Sequence, residues 1–341
     1  MAPTGVLLIN VGTPDAPTLP AVRKYLKQFL TDPMVVSLPT IARYLLVYGL
    51  IVPFRTPKST EAYKAVWDKD KGSPLLSFSR SFQQALQQVL GDDYFVELGM
   101  RYGNPNIELA LKKFKQQNIT KIIVAPLYPQ NAAASTGSAL AEFNKQLSLY
   151  ETKPDVINLG DFYVEPNFIA SMAKLIQPFL QADYNCVLFS YHGLPFDQVK
   201  KSEIKTPDNC ESDLPCPVIT DNNKNCYRAQ CYATSRALAQ TLNLKPEEYH
   251  VSFQSRVGMN RWIGPDTEGV LKKLIGMGKT NIVVACPSFV TDCLETIEEI
   301  GMRGQELWQS LGGESLQLVP CLNDHPDWVQ GFADMVKQKN H

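Results

Sequence analysis

Residues 104–125, NPNIELALKKFKQQNITKIIVA, and residues 264–285, GPDTEGVLKKLIGMGKTNIVVA, align without a gap. Pro105 meets Pro265, Glu108 meets Glu268, and Leu111, Lys112 and Lys113 meet Leu271, Lys272 and Lys273. The closing run matches at Ile122 with Ile282 and Val124 with Val284. Each copy has apolar positions at helical spacing followed by a short β-branched stretch, which predicts a helix leading into a buried strand. Arg101-Tyr102 and Arg261-Trp262 fall in the same register and carry the echo upstream.

Outward from this repeat, GVLLINVG, KIIVAPLYPQ, CVLFSYHGLP, YHVSFQSRVG and NIVVACPSFV are strand-like runs separated by helical patterns. That alternation predicts an α/β chain of two similar doubly wound, Rossmann-like halves, each on a parallel sheet. The predicted division is 1–163 and 164–341, with EPNF at 165–168 opening a connecting helix. GVLLINVG and CVLFSYHG are the first strands of their halves, which sets Val11 opposite His192 in the repeat. In such sheets ligands lie beyond the carboxyl ends of the strands, and a crevice between two halves suits a sizeable substrate.

Composition narrows the function classes. Lys and Arg total 33 against 34 Asp and Glu, a net charge of -1, so no electrostatic footprint predicts a nucleic-acid partner. The opening MAPTGVLLINVG has no basic region before its apolar run, which predicts a cytoplasmic protein without a secretory signal. The apolar stretch Met34 to Phe54 contains Arg43, Pro39 and Pro53, a poor spanning helix but a credible lip for peripheral contact with a bilayer or a greasy substrate. Motifs of the G-x-G-x-x-G, P-loop and G-x-S-x-G types are missing from the sequence, which removes the main support for dinucleotide, nucleotide and hydrolase readings.

Two places could carry chemistry. His192 combines a strand end, a following glycine and Tyr191 beside it, although a histidine there is often structural. TDCLETIEEIG, residues 291–301, follows a strand and sets Asp292, Glu295 and Glu299 on one helical face. The plain alternative is a solvated acidic first turn favoured by the helix dipole. A row of carboxylates leading to a histidine is also what proton removal or divalent-cation handling requires. GMRYGNPN and FQSRVGMNRWIGP, with Arg, Tyr and Trp beside glycines, could clamp an anionic planar ligand or simply pack as loops.

These stretches, with FRTPKSTEAY, PLYPQ, SYHGLP and DCLETIEEIG in order along nearly the whole chain, resemble the ferrochelatase family, whose members insert ferrous iron into a porphyrin at the end of protoheme synthesis. The resemblance implies that His192 is the active-site histidine and Glu295 the acidic residue facing it, with Asp292 and Glu299 continuing a path for iron or protons. It implies that Arg55 and the lip form the porphyrin mouth, and that Val11, Tyr128, Ser135 and Thr136 line one wall; Trp262, of the clamp-like loop, is expected to bind the substrate too. The chemistry agrees: a porphyrin must lose two pyrrole protons and bend before metal enters, and a neutral imidazole is a fitting acceptor. Iron is then a substrate. Protoporphyrin IX is the expected porphyrin, coproporphyrin III the alternative, and a non-catalytic heme or iron-sulfur sensor the reading from another class. A monomer and a homodimer both fit.

The chain departs from the family pattern at Cys293, where many members have histidine, and at Asn131-Ala132-Ala133-Ala134 after YPQ. It also carries an insertion at about 199–231, rich in Asp, Asn and Pro, that cannot fold on buried apolar area alone. Cys210, Cys216, Cys226 and Cys231 in the spacing C-x5-C-x9-C-x4-C offer the staple. That spacing lacks the C-x2-C knuckle of structural zinc, so a [2Fe-2S] cluster is the expected cofactor, with zinc or unliganded cysteines as alternatives. Some bacterial ferrochelatases look similar in this respect. Cys186, Cys286 and Cys321 sit in apolar contexts and are expected in the core.

Overall fold

The computed structural model describes residues 2–181, 183–200, 214–256 and 261–340. Four strands, β1 (Thr4–Thr13), β2 (Tyr94–Gly103), β3 (Lys121–Pro126) and β4 (Asp155–Asn158), form a parallel sheet in the order β2-β1-β3-β4. A second set, β5 (Cys186–His192), β6 (Tyr249–Gln254), β7 (Asn281–Ala285) and β8 (Ser315–Leu318), repeats that order as β6-β5-β7-β8. Both central strands read as continuous apolar runs because each face of a parallel sheet is covered by helices.

In the first unit the helices are α1 (Leu19–Leu30), α2 (Thr40–Leu46), α3 (Val52–Val66), α4 (Pro74–Leu90), α5 (Ile107–Gln116) and α6 (Ser138–Leu147). Leu7 and Ile9 of β1 and Ile122 and Val124 of β3 pack against Leu111 and Phe114 of α5 and Phe143 of α6. The strand period of two turns Val6 and Leu8 to the opposite face, where α4 lies against β1 and β2.

The second unit holds α7 (Pro166–Ile176), α8 (Phe196–Lys200), α9 (Tyr227–Thr241), α10 (Thr267–Gly276), α11 (Gln305–Ser310) and a π-helical segment, Glu295–Gly304. Leu188, Ile282 and Val284 face Leu271 and Leu274 of α10, Ile300 of the π segment and Trp308 of α11. The last helix, α12 (Pro326–Asn340), packs on the first unit, where Trp328 and Phe332 stack and edge against Phe82 of α4. The units therefore run Met1–Tyr128, Ala133–Gly160 and Asn323–His341, against Pro129–Ala132 and Asp161–Leu322. The sequence reading gave all of 164–341 to the second half; an aromatic face on the terminal helix draws it to the first sheet.

Register establishes the repeat. Leu7 pairs with Val124, Leu188 pairs with Val284, and those valines are echo partners, so Val11 and His192 occupy equivalent strand-end positions. The upstream echo is corrected. The Met100 N–H donates to the Pro105 carbonyl at 2.6 Å, and the Phe253 N–H donates to the Pro265 carbonyl at 2.8 Å. Met100 therefore matches Phe253, and Arg101 matches Gln254 rather than Arg261. Pro265 lies twelve positions after Phe253 where Pro105 lies five after Met100. The match of Arg261-Trp262 to Arg101-Tyr102 was a coincidence of gap-free counting across a longer loop, of which residues 257–260 lie outside the described residues.

The expected lip runs through α2, the π-helical Val47–Ile51 and the start of α3. Ile41, Leu45 and Phe54 are 78%, 71% and 75% exposed. Arg43 is instead buried, its guanidinium donating to the Leu38 carbonyl at 2.7 Å. Among the described residues no helix is long and apolar enough to cross a membrane.

Candidate active site

The strand CVLFSYH places Cys186, Leu188, Ser190 and His192 on the face toward α10 and the π segment, and Tyr191 on the other face. Strand β7 pairs with β5 only as far as Phe189, so His192 extends beyond the ladder on that side. Its Nδ1 lies 2.6 Å from the Gly193 carbonyl oxygen. A carbonyl can only accept, so in this contact Nδ1 carries the proton and Nε2 keeps its lone pair in the neutral ring. Gly193 is required for close approach: a Cβ there would stand 2.5 Å from the Gln254 carbonyl oxygen and 3.5 Å from the Trp262 ring.

The carboxylates follow β7, the strand beside β5. Gln254, buried at the end of β6, accepts from the Ser190 hydroxyl at 2.8 Å and donates to the Glu295 backbone carbonyl at 2.7 Å. It thus connects the His192 strand to the start of the π segment. Glu299 accepts from the Ser255 N–H at 2.7 Å and from its hydroxyl at 2.5 Å. Ser255 adopts a φ of 65°, a left-handed conformation uncommon for a residue with a side chain, which lets both donors meet one carboxylate. Glu298 instead accepts from the Arg303 guanidinium at 2.7 Å. The expected α-helix is a π-helix here, whose wider turn still keeps Glu295 and Glu299 near one another along one side.

Asp292 precedes this segment and is buried. One carboxylate oxygen accepts from the Thr296 hydroxyl at 2.9 Å and the other from the Cys321 N–H at 3.2 Å. It also borders a hollow of about 300 Å³ shared with Ile297, Met302 and Leu318. Cys186, Cys286 and Cys321 are core residues as expected, and Cys293 joins them. Burial pushes the Cys286, Cys293 and Cys321 thiols well up, with the nearby acidic groups adding to it. Their resting form is a neutral thiol, a weak metal donor.

The remaining expected residues fall as follows. Val11, Arg55, Tyr128, Ser135 and Thr136 belong to the first unit, and Trp262 belongs to the second. Val11 ends the buried run of β1, and Tyr128 packs against the α5 and α6 side of that core. Thr136 is buried with its hydroxyl lacking a hydrogen-bond partner among the described residues, a free polar group in a π-helical turn, Ala133–Gly137. Trp262 forms an isolated bridge with Pro195 beside the His192 loop.

Cys210 lies outside the described residues. Cys216, Cys226 and Cys231 gather around the first turns of α9. The Cys226 sulfur accepts from the Ala229 N–H at 3.4 Å as the helix cap, and the Arg228 guanidinium reaches the Cys216 sulfur at 2.9 Å. Burial pushes the Cys231 thiol well up, and the Cys226 and Cys216 thiols add to the shift. Among the described residues no group of three or more His, Cys, Asp or Glu side chains is already drawn together as a metal site, either here or along Asp292, Glu295 and Glu299. The donor set nevertheless suits an anionic iron-sulfur group: thiols beside a helix N-terminus and a guanidinium.

Sequence reasoning missed Gln254, Ser288, Tyr227 and the buried Asp32. The first three lie within or beside quoted motifs, but each makes a hydrogen bond to a distant backbone group, which no spacing rule reveals.

A ferrochelatase family model matches residues 3–340. The chain belongs to the ferrochelatase family. It is 46% identical over 337 residues to the ferrochelatase of Legionella pneumophila strain Lens, covering 98% of this chain and 99% of that one. It is 47% identical over 337 residues to the ferrochelatase of Coxiella burnetii strain CbuK_Q154, covering 98% and 93%. Among solved structures, SirB from Bacillus subtilis with Fe3+ superposes with a TM-score of 0.55 at 13% identity, covering 99% of this chain and 95% of that one, which supports the shared fold. As a ferrochelatase the protein is a metal chelatase of heme biosynthesis, with a porphyrin and ferrous iron as its substrates.

Proposed function

We propose that this ferrochelatase metallates protoporphyrin IX, with His192 Nε2 accepting pyrrole protons and Glu295 as the acidic partner. The observation that carries the reading is the Nδ1 contact with the Gly193 carbonyl, which leaves Nε2 as the free acceptor. Glu299 and Asp292 extend the acidic side toward solvent for outgoing protons or incoming iron. Val11, Arg55, Tyr128, Ser135, Thr136 and Trp262 are assigned to the porphyrin, whose faces are apolar. The exposed lip, with Ile41, Leu45 and Phe54, favours protoporphyrin with its two carboxylates over coproporphyrin with four, and supports peripheral contact of a cytoplasmic enzyme with a bilayer.

Cys210, Cys216, Cys226 and Cys231 are proposed to hold a [2Fe-2S] cluster. Such a cluster would supply four iron-sulfur bonds that staple the insertion to the start of α9. Anaerobic turnover of the as-purified protein with ferrous iron, recording the visible spectrum before substrate is added, tests both assignments. Protoheme formation with pre-existing charge-transfer bands is the expected result. Coproheme alone would move the substrate assignment, and failure with both porphyrins would favour a sensor. A spectrum without those bands, with zinc in the purified protein, would replace the cluster by zinc.

A further inference from the structure

We propose that Tyr227 is a positioning residue for His192, acting through the peptide that joins His192 to Gly193. The proposal rests on the catalytic reading of His192. Tyr227 is the first residue of α9 and is buried. Its hydroxyl donates to the His192 carbonyl at 2.9 Å. The N–H of the same peptide, on Gly193, donates to the Gln254 carbonyl at 2.8 Å. That peptide plane is thus held at both ends, once by a side chain and once by backbone.

The next carbonyl along, on Gly193, is the acceptor for His192 Nδ1. Turning the held peptide would carry that acceptor away from the ring and release the imidazole. The sheet cannot prevent this by itself, because β7 stops pairing with β5 at Phe189. Side chains take the place of the missing strand: Tyr227 serves the His192 carbonyl, and the Ser288 hydroxyl accepts the His192 N–H at 3.1 Å. Ser288 and Tyr227 thus serve the N–H and the carbonyl of one residue and form a clamp on the histidine.

The clamp sits on the helix that carries the cysteines. The Tyr227 hydroxyl also neighbours the sulfur of Cys231, one turn further along α9. A single hydroxyl is shared between the cysteine side of the helix and the histidine strand end, a physical route from the insertion to the proton acceptor.

Two measurements test the clamp. Tyr227→Phe should lower kcat about 10-fold while KM for iron and for porphyrin stays within about twofold, since the ring is misaimed rather than removed. In a His192→Ala background the same substitution should leave the residual rate unchanged, because it acts through that ring. Independently of turnover, histidine ¹⁵N NMR should show the Nδ1–H tautomer at His192 in the wild type and a mixture of tautomers in Tyr227→Phe. Should Tyr227→Phe not fold, Ser288→Ala carries both readouts, with a smaller loss expected. Unchanged kcat, an equal loss in the His192→Ala background, or an unchanged His192 tautomer would each overturn the proposal. If His192→Ala alone leaves turnover intact, the catalytic reading of His192 falls, and the NMR result still decides whether the clamp exists.

Discussion

The ends of β1 and β5 are equivalent in topology and opposite in chemistry. Each has a glycine at its end pressed on the neighbouring strand, Gly12 one residue before the end of β1 against Tyr102 and Gly193 just after β5 against Gln254. The residue before that glycine is Val11 in one and His192 in the other. The neighbouring strand supplies a hub in both: Arg101 in the first unit, Gln254 in the second. Arg101 is absorbed internally, bonding Asp32 at 2.5 Å and the Ser138 hydroxyl at 2.7 Å. Gln254 is neutral and links the β5 strand, through Ser190, to the start of the π segment at the Glu295 carbonyl. One scaffold thus carries a charge-neutralised end in one unit and, in the other, the end to which we assign proton handling, and the difference lies in two strand-end positions rather than in topology.

Adding a methyl group to each glycine should break the equivalence most strongly. Gly12 has a φ of 106°, and a Cβ there would stand 1.7 Å from the Tyr102 carbonyl oxygen. Gly12→Ala is expected to cost about 4 kcal/mol or to prevent folding. Gly193→Ala meets only the contact at 2.5 Å and should cost about 2 kcal/mol, while reducing turnover by displacing the carbonyl that holds Nδ1. Urea unfolding of both variants checks the order, and equal losses would mean that the two ends are strained alike.

The hub in the first unit gives the next effect. Burial alone would raise the Asp32 carboxyl, but hydrogen bonds from Ser138, the Met34 N–H and Tyr102, with the Arg101 charge, hold it below the ordinary range. A depressed folded value contributes stability above the unfolded value of about 4, and this is lost as pH falls through the folded value. Asp32→Asn should therefore destabilise by about 2 kcal/mol at pH 7, with the gap to wild type closing below about pH 4. A gap that persists unchanged at pH 3 would show that the aspartate acts by shape alone.

What the sequence made legible follows the same division. The halves, their strands and the Val11–His192 equivalence were readable because helix and strand periods repeat from Asn104 and Gly264 onward. The Arg261 alignment was misleading because loop length carries no periodic signal. The docking of α12 on the first sheet depends on which aromatic rings meet at long range, and it was invisible for that reason. His192, Glu295 and Glu299 could be proposed from sequence because strand ends, glycine and acidic spacing are local features. Tyr227 was not, since its partner is a backbone carbonyl 35 residues away in sequence.

The smallest effect sharpens the repeat itself. Asn106 caps α5 by accepting from the Leu109 N–H at 2.9 Å, and Asp266 caps α10 by accepting from the Gly269 N–H at 2.8 Å. Each replacement by Ala should cost about 1 kcal/mol, because an otherwise unpaired helix N–H loses its acceptor. The caps differ in charge: Asp266 also lies 3.7 Å from Arg256 and faces the positive end of its helix dipole. Both caps are solvent-exposed, so that extra share should be a few tenths of a kcal/mol and should fade with salt. Unfolding of Asp266→Asn at low and at about 0.5 M salt isolates it, since the amide keeps the cap and removes only the charge. A loss that survives salt would place the value of Asp266 in cap geometry, and the two helix starts would then be equivalent in energy as well as in position.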